Sequence, residues 1–145
     1  MQTVTINRKI LVVEDNPAQI RLIQEALKQS SAPHEITAVN DGVEAMAYLR
    51  QEEPYSGVWR PDIILLDLNL PRKNGKEVLA ELKTDPQLKR IPVLVMTTSR
   101  HAEDIAISYD MHANCYINKS RNLKHLLTIV RRIEEFWLDT VTLPE

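Results

Sequence analysis

The chain has 145 residues, 43% apolar and 26% charged, with a formal net charge of −2 and a pI of about 6.1. That suits one soluble globular domain over residues 1–145 with a sizeable core, and it excludes a disordered chain. The balance is not basic, so neither nucleic acid nor an anionic membrane surface is expected as a partner. No apolar run nears the roughly 18 residues that span a bilayer, and residues 1–9 lack a signal-peptide core, so the expected location is cytoplasmic.

Short apolar runs alternate with helical patterns along the chain. Residues 10–13 (ILVV) read as a strand that ends at Glu14 and Asp15. Asn16 then caps a helix, with Pro17 at its first position and Gln19 placed to close a capping box. Ile20, Ile23 and Leu27 share one side of it. Residues 30–33 break this helix, and 36–39 form a weak second strand. Asp41 caps the second helix, with Glu44 three residues on and Met46 and Leu49 turned inward. A loop over 51–60 holds Pro54, Gly57 and Trp59. Residues 62–67 read DIILLD, an apolar run bounded by acids and long enough for one buried strand.

After a loop over 68–73, Asn74 caps a third helix, with Glu77 at its third position and Val78, Leu79 and Leu82 inward. Pro92 opens the fourth strand, 93–96, which ends at Thr97, Thr98 and Ser99. A helix over 102–111 follows. The fifth strand, 115–118, ends at Lys119, and a last helix covers 123–138. The single cysteine, Cys115, rules out an internal disulfide and reads as a buried structural thiol. Five βα units imply a parallel sheet covered on both faces, with every strand's C-terminal end on one edge. In such sheets the active crevice lies outside those ends.

The strand ends carry the chemistry. Glu14 and Asp15, Asp67, Thr97 and Thr98, and Lys119 are gathered at one edge. Three carboxylates this close must take up a proton or a cation. Oxygen ligands favour a hard cation, and Mg²⁺ needs only one or two carboxylates, so one acid is free to act as a nucleophile. Lys119 pairs with a carboxylate or a phosphoryl oxygen, and Thr97 can donate to the same group. Each residue alone has an ordinary reading. Glu14 and Asp15 would be helix-start polarity, Asp67 a turn cap, Lys119 a solvated surface lysine and Thr97 plain strand composition. Their joint placement is what favours phosphoryl chemistry at Asp67.

LVVEDN (11–16), LLDLNLPRKNG (65–75), VMTTS (95–99) and YINKS (116–120) together resemble the receiver domain of two-component response regulators. The resemblance runs from about residue 9 to 138. It implies a doubly wound flavodoxin-like (βα)5 fold, with a parallel sheet of order 2-1-3-4-5, an extended last helix and no output domain. It implies that Asp67 is the phosphorylation site, with Lys119, the switch hydroxyl Thr97 and the switch aromatic Tyr116 around it. Mg²⁺ would be held by Glu14, Asp15, Asp67 and the backbone carbonyl of Asn69. It further implies a change in the face made by the fourth helix, fifth strand and last helix, and a protein that signals rather than an enzyme. Two departures stand out: the acid pair is Glu-Asp where Asp-Asp is also common, and Ser120 follows Lys119 where most receivers have proline. A cis bond there would cost roughly 2.5–4 kcal/mol without proline. KEVLAELK, HANCYINKSRNLKHL and EEFWLDTVTLP resemble the small regulators paired with cyanobacterial phytochromes, which implies a phytochrome histidine kinase as phosphodonor.

On a helical wheel Leu123, Leu126, Leu127, Val130, Ile133 and Trp137 form one stripe, widened by Ile129, Phe136 and Leu138. It exceeds the roughly 100° that packing on a sheet needs. With Val141 and Leu143 in the tail, the surplus suggests a partner surface, and the resemblance implies a homodimer through the fourth helix, fifth strand, last helix and tail. The competing reading folds the tail back on its own domain. Three other functions fit the residues less well. An aspartyl phosphatase needs a general acid two residues after its nucleophile, and Asn69 stands there. A nucleotide-binding module needs a glycine-rich loop, and only Gly42, Gly57 and Gly75 exist. A scaffold receiver would be favoured by a missing acceptor or lysine, and both are present.

Overall fold

The computed structural model describes residues 7–28, 33–119 and 122–144. The elements in chain order are β1 (Arg8–Val13), α1 (Pro17–Lys28), β2 (His34–Val39), α2 (Gly42–Leu49), β3 (Ile63–Leu66) and α3 (Gly75–Thr84). Then come β4 (Val93–Thr97), α4 (Ala102–Asp110), β5 (Cys115–Asn118) and α5 (Leu123–Ile133), followed by a π-helical segment, Glu134–Thr140. All strand pairs are parallel, in the order β2-β1-β3-β4-β5. This is the expected doubly wound sheet.

Alternation along the strands builds two cores. Leu11, Val13, Ile64, Leu66, Val93 and Val95 face α2 and α3, where Met46, Leu49, Val78, Leu79 and Leu82 meet them. Ile10, Val12, Ile63, Leu65, Leu94 and Met96 face α1 and α5, against Ile23, Leu27, Leu126, Val130 and Ile133. Central strands buried on both faces read as unbroken apolar runs for this reason. β2, at the edge, buries only Val39, which explains its weak pattern. α4 buries only Ser108.

Register aligns the strand ends. Val13 pairs with Leu66, Leu66 with Val95, and Thr97 with Asn118. Glu14 and Asp67 therefore leave the sheet side by side, and Lys119 follows next to Thr97. The α3 start presses close to this edge. Gly75 donates its N–H to Leu68 O at 2.9 Å, and a Cβ on it would lie 2.2 Å from Asp67 O. Only glycine fits there.

Two expectations about the C-terminal part change. The last helix does not stay α-helical to residue 138. From Glu134 it widens, with Val141 N donating to Phe136 O at 2.9 Å and Thr140 Oγ1 to Glu135 O at 2.8 Å. A 3.6-residue wheel misplaces side chains beyond that point. Trp137 and Leu138, neighbours in sequence, both pack on the α1/α5 core, while Phe136 is 53% exposed. The tail is not wholly surplus either. Leu143 is only 3% exposed, covered by its own chain, and Pro144 lines a cavity with Pro61, Pro86 and Pro92. The Lys119–Ser120 peptide bond lies outside the described residues. Cys115 is partly buried, and burial pushes its thiol up to about 11, in line with a structural role.

Gly75→Ala forces a methyl into the backbone carrying Asp67. The expected loss is about 1–3 kcal/mol of stability, the usual cost of overpacking, read as a lower urea midpoint. An unchanged midpoint would contradict the close approach.

Candidate functional site

Lys119 stands at the centre of the sheet edge. Its backbone N–H donates to Thr97 O at 2.6 Å, which extends the β4–β5 ladder by one rung. The side chain runs back over the strand ends and is 2% exposed. Nζ donates to Glu14 Oε2 at 2.9 Å, to Asp67 Oδ2 at 3.0 Å, and to Gln19 Oε1. An ammonium has three N–H donors, and all three are used.

Asp67 is buried, and its second oxygen, Oδ1, accepts from Asn69 N at 3.1 Å. Glu14 is buried beside it, its Oε1 accepting from Asn16 N at 3.2 Å. Asp15 lies exposed at the rim. Glu14, Asp15 and Asp67 each offer a carboxylate oxygen within 4.8 Å of the other two. Among the described residues one ammonium faces three acids, which leaves an excess of negative charge. The donor set is all oxygen, partly buried and open on the Asp15 side, so it fits a hard divalent cation.

The two buried acids are driven apart in pKa. Burial, then the hydrogen bond shared with Asp67, pushes the Glu14 carboxyl up to about 7 against the pull of Lys119. Burial also opposes ionisation of Asp67. There, however, the hydrogen bond from Glu14, the Lys119 charge and the Asn69 N–H outweigh it and hold its carboxyl below the usual carboxylate range. Without a cation, a proton shared by the pair favours Glu14 and leaves Asp67 ionised.

Thr97 is fully buried at the end of β4, and its Oγ1 accepts from Ser99 N at 3.5 Å. Beyond it the chain is pinned at the Ser99 carbonyl, which accepts from Tyr116 Oη at 2.9 Å and from Asn118 Nδ2 at 3.0 Å. Ser99 Oγ donates to Asp104 Oδ2 at 2.5 Å, and Asp104 Oδ1 pairs with Lys76 Nζ at 2.5 Å. Thr97 and Tyr116 are thus linked through Ser99 of the β4–α4 loop.

The structure brings together Glu14, Asp15, Asp67, Asn69, Thr97 and Lys119, with Tyr116 one step removed. Sequence reasoning missed Gln19, read there as part of a capping box. The α1 cap is made by Asn16 Oδ1 alone, accepting from Ala18 N at 2.9 Å and Gln19 N at 3.3 Å. No signal in the sequence separates the two roles, because the spacing fits a capping box and a contact with Lys119 equally well. Ser99, Asp104, Lys76 and Asn118 were also missed, because only the folded loop brings them together.

Residues 10–131 match the response regulator receiver domain. The chain belongs to the response regulator receiver family. It is 57% identical over 135 residues to response regulator Rcp1 of Synechocystis sp., spanning 93% of this chain and 92% of that protein. It is 40% identical over 129 residues to the probable methanogenesis regulatory protein FilR2 of Methanothrix harundinacea, spanning 89% and 83%. Among solved structures, the phosphorylated cyanobacterial phytochrome response regulator RcpA matches with a TM-score of 0.94 and 64% identity, over 97% of this chain and 100% of that one. The Mn²⁺-bound form of Rcp1 matches with 0.93 and 56%, over 95% and 99%. This receiver is a signalling protein, and none of its described helices is long and apolar enough to cross a membrane.

A divalent cation placed among these three acids would favour the ionised form of Glu14. Its carboxyl titrates near 7, above the usual value, so below that pH a proton must leave as the cation enters. Affinity for a divalent cation should therefore rise with pH through about 7 and level off above it. Titration calorimetry in buffers of different ionisation enthalpy should show proton release below that pH and little above it. Affinity that is flat with pH would place the proton elsewhere.

Proposed function

We propose that Asp67 accepts a phosphoryl group from a phosphohistidine of a sensor histidine kinase, a phytochrome, and that the phosphorylated form is the signal. The observation that carries this is Asp67 itself. It is a buried carboxylate kept ionised, with Lys119 Nζ 3.0 Å from Oδ2 and the Asn69 N–H 3.1 Å from Oδ1. An Asp67 oxygen attacks phosphorus, the phosphorus–nitrogen bond to the donor imidazole breaks, and its electron pair leaves with that ring. Lys119 shifts its hydrogen bond from the carboxylate to a phosphoryl oxygen. Such transfers depend on positioning and charge neutralisation more than on acid–base work. Bound Mg²⁺ supplies further neutralisation of the phosphoryl oxygens. Glu14, Asp15, Asp67 and the Asn69 carbonyl are the groups that would hold it.

Asn69 is exposed and carries no titratable group, which supports a receiver that catalyses only its own phosphorylation and slow dephosphorylation. Thr97 Oγ1 donates to the new phosphoryl group in the phosphorylated form. Moving Thr97 strains the Ser99 carbonyl held by Tyr116 and Asn118, and so shifts α4. That helix is lightly held, with Ser108 as its one buried residue, as segments that switch tend to be. The altered face is α4, β5 and α5. The phytochrome pathway is supported by the likeness to Rcp1 and to the phytochrome regulator RcpA, and a cytoplasmic location is consistent with it.

Homodimerisation belongs to the same reading. β5 is partly exposed along its length. Leu123 is 65% and Phe136 53% exposed. A shallow cavity of about 290 Å³ between Ile117, Ile129, Ile133 and Trp137 lies beside Phe136. The pattern suits a second copy. The buried Leu143 is already satisfied within its own chain, so the tail contributes less than the helix.

With acetyl phosphate and Mg²⁺, the protein should gain one phosphoryl group by intact mass, and Asp67→Asn should gain none. Equal labelling of the variant would overturn the assignment. In sedimentation velocity at tens of micromolar, about the range of weak interfaces, a dimer is expected, and Phe136→Lys should shift it toward monomer. A wild-type monomer with and without phosphorylation would remove the dimer.

A further inference from the structure

Gln19 has no task in the α1 cap, yet its side chain is held at a defined place. Asn16 Oδ1 serves both helix-start N–H groups that a cap can reach. In α3, by contrast, the corresponding Glu77 does turn back, accepting from Asn74 N at 3.3 Å. Gln19 instead points its amide oxygen at Lys119 Nζ and takes the third N–H, the one that neither Glu14 nor Asp67 uses.

The chemistry of that third acceptor matters. Among the described residues Lys119 is the one cation in contact with Asp67, so its charge must stay directed there. A carboxylate at position 19 would compete for the ammonium and add a fourth acid to the cluster. An apolar side chain would leave a buried N–H without a partner, free to rotate away or to draw in water. A neutral amide fixes the direction of the ammonium without competing for its charge. Once Asp67 carries a phosphoryl group, the Gln19 and Glu14 bonds hold Nζ from two sides, and the remaining N–H points at the acceptor.

We propose that Gln19 is a positioning residue for Lys119: its amide orients the ammonium toward Asp67 and so sets the rate of phosphoryl uptake. The inference rests on Asp67 being the acceptor. The hydrogen bond that places Gln19 in the site is the one to Lys119, and on this inference it acts through that residue.

A double-mutant cycle tests this, since a residue acting through another has no effect once that other is gone. Autophosphorylation by acetyl phosphate with Mg²⁺ is followed by intact mass in wild type, Gln19→Met, Lys119→Met and the double variant. Thermal midpoints are taken alongside. Gln19→Met should slow uptake roughly tenfold, the scale of one hydrogen bond to a charged group. In the Lys119→Met background the same change should alter the rate by less than about twofold. Gln19→Ala, which removes the acceptor without filling its space, should show the same dependence on background. A helix-stability role would lower the midpoint and act equally in both backgrounds, which overturns the proposal. So does a Gln19→Met rate equal to wild type. Equal labelling of Asp67→Asn instead overturns the acceptor assignment, and this inference with it.

Discussion

The ammonium of Lys119, closed between Glu14 and Asp67, is the contact on which the rest of the site depends. A lysine that is 2% exposed in its side chain is costly to bury unless every donor is met and a counter-charge is near. Both conditions hold: Glu14, Asp67 and Gln19 take its three N–H groups. Removing one charged partner from such a pair costs about 3–5 kcal/mol, because the other is left buried and uncompensated. The site is therefore held by mutual need. The same arrangement leaves it short of positive charge, since three acids share one ammonium. A proton on Glu14 or a divalent cation makes up the difference, and these two compete for one place.

The fold exists in a form that allows this contact. Residue 119 meets residues 14 and 67 only because parallel pairing sets the C-terminal ends of β1, β3, β4 and β5 in one row. Gly75 lets the α3 start lie on the backbone that carries Asp67. Thr97 is tied in twice, through its carbonyl to Lys119 N and through its hydroxyl to the Ser99 N–H. Charge at Asp67 and the position of the β4–α4 loop are thus mechanically joined. The loop in turn holds Tyr116 and Asn118 at one carbonyl, and Asp104 ties it to Lys76 on α3. A change in where Lys119 and Thr97 place their hydrogen bonds has a short route to α4. That helix has little buried surface to resist it.

Much of this was legible in the residues alone, for identifiable reasons. Central strands buried on both faces are unbroken apolar runs, so 10–13, 62–67 and 93–96 stood out. The residues ending those runs then fell at one edge by topology. Glu14, Asp67 and Lys119 were found in this way, as sequence-distant residues brought together by strand order. What the pattern could not show was direction. Gln19 fits a capping box and a lysine contact equally well by spacing, and only the fold decides between them. The last helix failed as a plain wheel because seven residues widen to π geometry, and no local propensity marks that change. Leu143 looked like surplus because burial by a distant part of the same chain leaves no trace in periodicity.

The difference between a receiver and a hydrolase on this kind of sheet comes down to what stands near the acceptor besides charge. Phosphoryl uptake needs an ionised carboxylate, an aligned cation and donors for the phosphoryl oxygens. Asp67, Lys119, Asn69 N and Thr97 supply these on the proposed reading. Release needs a water turned toward phosphorus and a group to take its proton. The buried titratable groups beside Asp67 are otherwise committed, Glu14 to Lys119 and Lys119 to three acceptors at once, and Asp15 at the rim is the acid that would face the cation. Asn69, at the position from which a general acid would act, offers an exposed amide instead. Uptake is therefore better served than release. On the proposed reading, that imbalance would keep the phosphoryl group long enough for a partner to read α4, β5 and α5.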